Sequence, residues 1–197
     1  MSGFNFSLDP IENFVILLNE AVEHKMPDPN AMALATVNIE NKPSVRIVFY
    51  KGMIRDGFSF YTNYNGRKAQ DIAHNNNVCV NFFWSQLERQ VRIEGKALKT
   101  TRAESEAYFK TRVRESQLGA WASEQSQPLE SFETIEKRYQ ELNTKYANQE
   151  IPCPPHWGGY IIVPEMIEFW FGRTGRMHQR YRYQRNGTSW AKSFVNP

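Results

Sequence analysis

Apolar residues recur at two different spacings along the chain, and the change falls near residue 31. Asp9 before Pro10, with Glu12 three residues after Asp9, is a typical helix start. Apolar residues at helical spacing follow and predict an amphipathic helix; they are Ile11, Phe14, Val15, Leu18 and Val22. From Ala31 onward apolar and polar residues alternate. This period of two predicts strands at residues 31–37, 45–50, 57–62, 78–84 and 89–97.

The second half of the chain returns to helical patterns and then to strands. Helices are predicted at residues 101–110, 117–122 and 129–147. Thr101 with Glu104 is a capping box for the first of them, and Ser116 is expected to cap the second. Strands are predicted at residues 157–163, 167–171 and 180–184, and a hairpin turn at Asn186-Gly187 leads into a last strand at 189–195. The short connections indicate an antiparallel barrel or sandwich.

Composition and charge indicate a single globular domain over residues 1–197. No apolar run approaches twenty residues and the N-terminus lacks a signal-peptide pattern, so we expect no membrane partner and a cytoplasmic location. The two cysteines, Cys79 and Cys153, have no disulfide or zinc spacing, and we expect no metal. A net charge of +3 is too small to indicate nucleic acid as a partner.

Two cations stand at the start of a predicted short helix. Asn65-Gly66 leads into a helical pattern at residues 67–73, with Arg67 and Lys68 in its first turn. Cations there oppose the helix dipole, whereas an anion bound at the same end would use both cations and the free backbone N–H groups. The pattern favours a phosphate site, and the alternative is a solvated basic turn.

The stretch 167–180 holds the densest group of candidate functional residues. An apolar run with Trp170 precedes a glycine-interrupted loop, and Arg176, His178 and Arg180 then follow at alternate positions. In an extended backbone alternate side chains project to one face, so these three are expected to converge on one spot. Such a spot would suit an anionic, planar ligand.

A second set of cations, Lys51, Arg112 and Arg176, is separate from the pair at the helix start. Tyr108 and Arg112 are four residues apart and share a helix face if that helix continues. The sequence lacks the motifs of serine hydrolases, zinc peptidases and dinucleotide-binding folds. Two anionic groups and a flat ring system would account for both cation sets, which suggests a flavin nucleotide facing a phosphorylated aromatic substrate.

Several runs of the chain match, in order, the blocks of a known family. They are Arg46-Ile47-Val48-Phe49-Tyr50-Lys51, Tyr61-Thr62, Gly66-Arg67-Lys68, Leu87-Glu88-Arg89-Gln90-Val91, Ser116-Gln117-Leu118-Gly119-Ala120-Trp121 and Glu168-Phe169-Trp170 through Arg180. From about residue 9 to residue 190 the chain resembles the pyridoxine/pyridoxamine 5′-phosphate oxidases. The resemblance implies a mainly β fold, an antiparallel split β-barrel with flanking helices, working as a homodimer with FMN at the subunit interface.

The resemblance also implies roles for individual residues. FMN contacts are implied for Arg46, Ile47, Val48, Phe49, Tyr50, Lys51, Tyr61, Thr62, Arg67, Lys68, Gln90, Gln125, Ser126, Trp170 and Arg180. The substrate phosphate would be held by Lys51, Tyr108, Arg112 and Ser116, and Arg176 and His178 would lie beside the pyridine ring as catalytic residues. The implied reaction oxidises pyridoxine or pyridoxamine 5′-phosphate to pyridoxal 5′-phosphate with O₂ and releases hydrogen peroxide.

Some positions depart from the pattern of the family, and three alternatives stay open. Phe171, Gln179 and the C-terminal residues differ from the usual ones, and the N-terminal segment that covers the active site in many members is not expected in this chain. The alternatives are an FMN oxidase of another reduced ring such as a dihydrophenazine, a non-catalytic binder of flavin or pyridoxal phosphate, and a nucleic-acid surface at residues 173–185.

Overall fold

The computed structural model describes residues 3–197, which form nine strands and five α-helices. The strands are β1 Ala31–Val37, β2 Pro43–Phe49, β3 Met53–Ile54, β4 Gly57–Asn63, β5 Asn77–Trp84, β6 Arg89–Lys99, β7 Trp157–Phe171, β8 Gln179–Asn186 and β9 Ser189–Val195. The helices are α1 Pro10–Glu23, α2 Arg67–His74, α3 Arg102–Lys110, α4 Arg114–Ala122 and α5 Phe132–Lys145.

The nine strands belong to one antiparallel sheet in which β7 is the central connection. The order runs β2-β1-β5-β6-β7-β4-β3, and β8 and β9 continue from β7. The first half of β7 pairs with β4 and its second half pairs with β8, while β6 lies along its other edge. Because β7 has 15 residues, one strand joins two separate parts of the sheet. The sequence patterns predicted it as two shorter strands.

Aromatic side chains fill the main core. Phe14 from α1 packs edge-to-face on Phe58, with ring centroids 4.8 Å apart, and both side chains are fully buried. A smaller cluster around Trp157 joins α3 and α4 to the start of β7 through Phe109 and Leu118. This second cluster fixes the two helices beside β4.

The predicted first helix is confirmed, but its buried face is different from the predicted one. The Asp9 side chain accepts a hydrogen bond from the Ile11 N–H, as expected for an N-cap. Val15 and Val22 are 40% and 55% exposed, whereas the buried apolar positions are Phe14, Leu17 and Ala21. The face of α1 that packs on the sheet is therefore narrower than the set of apolar positions in its sequence.

The three later helices, α3 to α5, lie where the sequence patterns predicted helices, but their first and last residues differ from the predicted ones. The capping box of Thr101 and Glu104 is present at the start of α3. The prediction that Ser116 caps the next helix is wrong, because α4 begins at Arg114 and Ser116 lies inside its first turn. None of the helices in residues 3–197 has the length and apolar character needed to cross a membrane.

A β-bulge bends the β6–β7 pair at Gly95. The register shifts between Glu94 and Gly95, so that Gly95 lies opposite Pro164. A Cβ at Gly95 would overlap the carbonyl oxygen of Val163 and lie 2.9 Å from its carbonyl carbon. The two backbones can approach this closely only because residue 95 has no side chain.

We expect Gly95→Ala to lower the free energy of unfolding by about 1–3 kcal/mol, the usual cost of overpacking. The melting temperature should fall by roughly 2–12 °C, as measured by calorimetry. Gly119→Ala is the matched control, because a Cβ at this helical position meets nothing within 4 Å. This control should be neutral or slightly stabilising. A Gly95→Ala variant that melts with the wild type would contradict the close-approach argument.

Candidate functional site

An open cavity of about 680 Å³ lies between β2, β4 and the helices α3 and α4. It is lined by residues that the sequence assigned to two different anion sites. From the predicted flavin set these are Ile47, Val48, Phe49, Lys51, Tyr61, Thr62, Lys68 and Gln125. From the predicted substrate-phosphate set they are Lys51, Tyr108, Arg112 and Ser116. The two predicted groups therefore meet in one continuous space.

One end of the cavity lies beside the start of α2. The helix is capped by Gly66 without a side-chain hydrogen bond, which leaves its first N–H groups free of a side-chain partner. Lys68 Nζ donates to Thr62 Oγ1 at 3.1 Å and to Gln125 Oε1 at 2.7 Å. Burial lowers the pKa of Lys68, and nearby Arg46 lowers it further. A half-buried cation that contacts only neutral oxygens at a helix start is a suitable anion site.

The other end of the cavity is built on stacked aromatic rings. Tyr61 stacks on Tyr108 with centroids 3.8 Å apart and on Trp157 at 5.4 Å. The Arg112 guanidinium lies 4.8 Å from the Trp157 ring, which positions it by a cation–π contact. Its Nη1 atom is buried and has no hydrogen-bond partner in residues 3–197, and burial lowers the pKa of this guanidinium. An uncompensated buried donor of this kind fits an incoming anion.

Several of the remaining predicted residues are grouped near the far end of β7 and do not line this cavity. Gln90 and Trp170 face each other across β6 and β7. Tyr61 pairs with Gly159 at the opposite end of β7, so Trp170 lies roughly 35 Å further along that strand at about 3.3 Å per residue. Arg180 pairs with Trp170 across β7 and β8, and none of Arg176, His178 and Arg180 lines the cavity of their own chain.

The expected convergence of Arg176, His178 and Arg180 along one strand is wrong. Residues Thr174–Arg176 form a 3-10 turn, Gly175 and Arg176 have φ of +66° and +61°, and β8 begins only at Gln179. The left-handed turn breaks the two-residue period on which the expectation depended. His178 instead lies 4.7 Å from the Trp170 ring, and its Nδ1 accepts a hydrogen bond from the Arg173 N–H.

Arg180 lies in β8, where a buried carboxylate holds it. Glu168 is 2% exposed and its Oε1 accepts from Arg180 Nη2 at 2.8 Å and Nε at 3.2 Å. The other oxygen of Glu168 lies 3.4 Å from Arg92 Nη2 and 3.3 Å from Arg182 Nη2. Because these arginines are paired and Arg185 covers the Trp190 ring, the basic run 173–185 is a poor nucleic-acid surface.

Four further predicted residues do not line the cavity, and they are Arg46, Tyr50, Arg67 and Ser126. The Tyr50 ring is 8% exposed and packs on Phe14 in the core, where burial raises the pKa of its hydroxyl to about 12. Ser126 has φ of +69° and follows Gln125, which does line the cavity. Six residues line the cavity but were not among the predicted site residues; they are Asn63, Val113, Gly119, Ala120, Ser123 and Trp157. Of these residues, only Trp157 could have been identified from the sequence, because it is an aromatic residue at the start of a predicted strand and is followed by two glycines.

The two departures in the stretch after Trp170 have structural explanations. Phe171 is 1% exposed, and the Arg89 guanidinium covers its ring at 4.9 Å. Gln179 Oε1 accepts a hydrogen bond from Arg173 Nη2 at 3.1 Å. Phe171 therefore belongs to the core at the end of β7, and Gln179 holds Arg173 at the start of the loop that carries His178.

The fold and the cavity together define a class of protein, the FMN-binding split barrels. The chain superposes with a TM-score of 0.91 on PhzG from Burkholderia lata 383, solved with tetrahydrophenazine-1-carboxylic acid, at 26% identity over 96% of this chain and 93% of that one. It shares its fold with a pyridoxamine 5′-phosphate oxidase-related, FMN binding protein from Nostoc punctiforme PCC 73102, with a TM-score of 0.76, 17% identity and coverage of 98% and 100%. The split-barrel prediction is confirmed.

Family comparisons narrow this class. The model described as pyridoxamine 5′-phosphate oxidase matches residues 18–146, and the pyridoxine 5′-phosphate oxidase C-terminal dimerisation region matches residues 157–197. Pyridoxine/pyridoxamine 5′-phosphate oxidases of Acaryochloris marina and Bdellovibrio bacteriovorus are 49% and 47% identical, over 96% and 98% of this chain and 86% and 98% of theirs. The chain belongs to the pyridoxamine 5′-phosphate oxidase family. This membership confirms the prediction of an FMN-dependent oxidoreductase.

Proposed function

We propose that the chain oxidises pyridoxine 5′-phosphate and pyridoxamine 5′-phosphate to pyridoxal 5′-phosphate, with O₂ as acceptor and hydrogen peroxide as second product. The observation that carries the proposal is the single cavity with two cationic ends. Lys68 lies at one end for the FMN phosphate, and Arg112, whose Nη1 has no partner within residues 3–197, lies at the other for a substrate phosphate. The names of relatives at 47–49% identity support the same reaction.

The proposed active site is completed by a second copy of the chain. Trp170, Arg176 and His178 do not line the cavity of their own subunit, and Trp170 lies roughly 35 Å along β7 from the pair of Tyr61 and Gly159. Exposed apolar residues on β2 and β5 offer a face for such a partner; they are Val45, Ile47, Phe49 and Phe83, at 67%, 61%, 44% and 57% exposure, and Ile47 and Phe49 also line the cavity. A homodimer would cover this face and bring the two residue sets together.

FMN, held at its phosphate by Lys68 and the start of α2, would supply the two-electron redox chemistry that the side chains of the protein lack. The cations Lys51 and Arg112, with Ser116, bind the substrate phosphate and set the position of the ring. Nδ1 of His178 accepts the Arg173 N–H and is therefore unprotonated in the neutral ring. The proton lies on Nε2, so His178 of the partner subunit presents a donor to the substrate.

We expect the purified chain to be yellow and to consume oxygen when either phosphorylated vitamer is added. An absorbance spectrum and an oxygen electrode measure the two properties, and pyridoxal 5′-phosphate is detected by its own absorbance. Unphosphorylated pyridoxine is the matched control, because it offers nothing for Lys51 and Arg112 to bind. A colourless protein that cannot be reconstituted with FMN would overturn the proposal.

An oxidase of a reduced phenazine is the second candidate. The likeness to PhzG, solved with tetrahydrophenazine-1-carboxylic acid, favours it at a TM-score of 0.91. The cation set at the second end of the cavity favours the phosphorylated vitamers instead, since Lys51, Arg112 and Ser116 together suit a phosphate. A yellow protein that oxidises a reduced phenazine carboxylate, but neither vitamer phosphate, would decide for this candidate. A yellow protein that is inert on all of them would indicate a non-catalytic binder.

A further inference from the structure

Asp71 is a buried carboxylate close to the proposed FMN phosphate site. It lies in α2 one turn after Lys68 and is only 5% exposed. Its Oδ2 atom accepts a hydrogen bond from the Thr36 hydroxyl of β1 at 2.7 Å. A carboxylate is rarely buried to this degree unless it is paired, so Asp71 needs a structural or functional partner.

The partner is Arg46, and the contact between them passes mainly through Thr36. Arg46 Nη1 donates to Thr36 Oγ1 at 2.6 Å, while Arg46 Nη2 lies 3.8 Å from Asp71 Oδ2. An arginine can only donate and a carboxylate can only accept, so the hydroxyl must accept from Arg46 and donate to Asp71. The chain Arg46 to Thr36 to Asp71 thus has one possible direction, and it links β2 through β1 to α2.

Three cations meet at this point of the molecule. Arg67 and Lys68 come from the start of α2, and Arg46 comes from β2. Burial lowers the pKa of Arg46, Asp71 opposes this, and Arg67 lowers it further, while Arg46 in turn lowers the pKa of Lys68. Arg46 is thus under the electrostatic influence of Arg67, and Lys68 is under that of Arg46. With Asp71 included the group carries a net charge of about +2, which matches a phosphate monoester of about −2.

We infer that Asp71 is a positioning residue, which acts through Thr36 to hold Arg46 against α2 so that the three cations and the helix start bind one phosphate. The inference rests on the proposed function, because it assigns the phosphate of FMN to this end of the cavity. Ser44 Oγ, which accepts from Arg46 Nη2 at 2.8 Å, and the Leu34 carbonyl complete the cradle of the guanidinium. Asp71 itself does not line the cavity and needs no contact with the ligand.

The test compares the binding of FMN and riboflavin, which differ only in the phosphate, to full-length protein stripped of flavin. Flavin fluorescence gives both dissociation constants. In Asp71→Asn the FMN constant should rise roughly 10- to 100-fold, the range for a lost hydrogen bond to a charged group, with little change for riboflavin. Thr36→Val should show the same selective loss, and it keeps the test available if the Asp71 variant does not fold. Asp56→Asn, in an exposed turn, is the control.

Each other outcome overturns the inference in a different way. Equal weakening of FMN and riboflavin, with a lower melting temperature, would make Asp71 a purely structural residue. Tighter FMN binding in Asp71→Asn would mean that its charge only opposes the phosphate, and unchanged binding would mean that it has no part. A wild-type protein that binds riboflavin as tightly as FMN would instead remove the phosphate site itself, and with it this part of the proposed function.

Discussion

Replacing Glu168 by glutamine is expected to lower the melting temperature by about 4–12 °C. The substitution removes the one carboxylate that Arg92, Arg180 and Arg182 share. Breaking a fully buried pair costs about 3–5 kcal/mol. The three arginines are 31%, 26% and 39% exposed and can be hydrated, so we expect about 2–3 kcal/mol, which corresponds to this shift for a chain of this size.

The stability difference between the two proteins should depend on pH. Burial raises the pKa of Glu168, but hydrogen bonds from Arg180 and Arg182 and the attraction of Arg92 outweigh it, so the pKa lies below its ordinary value. A lowered pKa gives stability that is present above the unfolded value of about 4.3 and is lost as the pH falls through the folded value. The melting temperatures of the wild type and Glu168→Gln should therefore approach each other below about pH 4.

The matched control is Glu165→Gln, three residues earlier in the same strand. Glu165 is 50% exposed and pairs with Lys96, which is 53% exposed, so its loss should cost less than about 1 kcal/mol. Calorimetry of the three proteins between pH 3 and pH 7 makes the comparison. Equal melting of Glu168→Gln and the wild type at neutral pH would show that the arginine cluster contributes nothing to stability.

Arg112→Ala is expected to raise KM for the phosphorylated vitamers roughly 10- to 150-fold with little change in kcat. Loss of a hydrogen bond to a charged group costs about 1.5–3 kcal/mol, and the proposed phosphate contact is made equally in ground and transition states. Since Arg112 Nη1 has no partner in residues 3–197, its removal breaks no hydrogen bond there, and the melting temperature should change little. Steady-state oxygen uptake and calorimetry measure the two properties.

Arg114→Ala provides the comparison for this variant. Arg114 lies two residues away, but its guanidinium donates to the carbonyl oxygens of Tyr146 and Gln149, outside the cavity. We expect its loss to affect stability and to leave KM near the wild-type value. If Arg112→Ala had wild-type KM, Arg112 would not belong to the substrate site.

The cation pair at the start of α2 was predictable from the sequence because its place depends on local geometry. Arg67 and Lys68 stand at a helix start, which is a property of a few consecutive residues and a known dipole. Tyr108 and Arg112 also line one cavity, although α3 ends at Lys110 between them. Here the contacts with Trp157, and not the continuation of the helix, bring the two side chains together.

Long-range pairings and left-handed turns were not predictable in the same way. The role of Asp71 depends on Thr36 and Arg46, which lie on two other elements, so in the sequence it reads as a solvated helix charge. The turn at Gly175 and Arg176 interrupts a perfect two-residue alternation, and nothing in that alternation indicates positive φ. The family resemblance identified Arg176 and His178 as functional residues, whereas the periodicity placed them wrongly in space.

The length of β7 has a genetic consequence. In the proposed dimer, a lesion near the start of the strand and one beyond its end damage different halves of each active site. A chain with Arg112→Ala and a chain with His178→Ala, mixed as a heterodimer, would assemble one site with both lesions and one site with neither. Two alleles that are each impaired at low substrate concentration would then restore activity to each other, and the continuous strand is what links the two lesions to opposite sites.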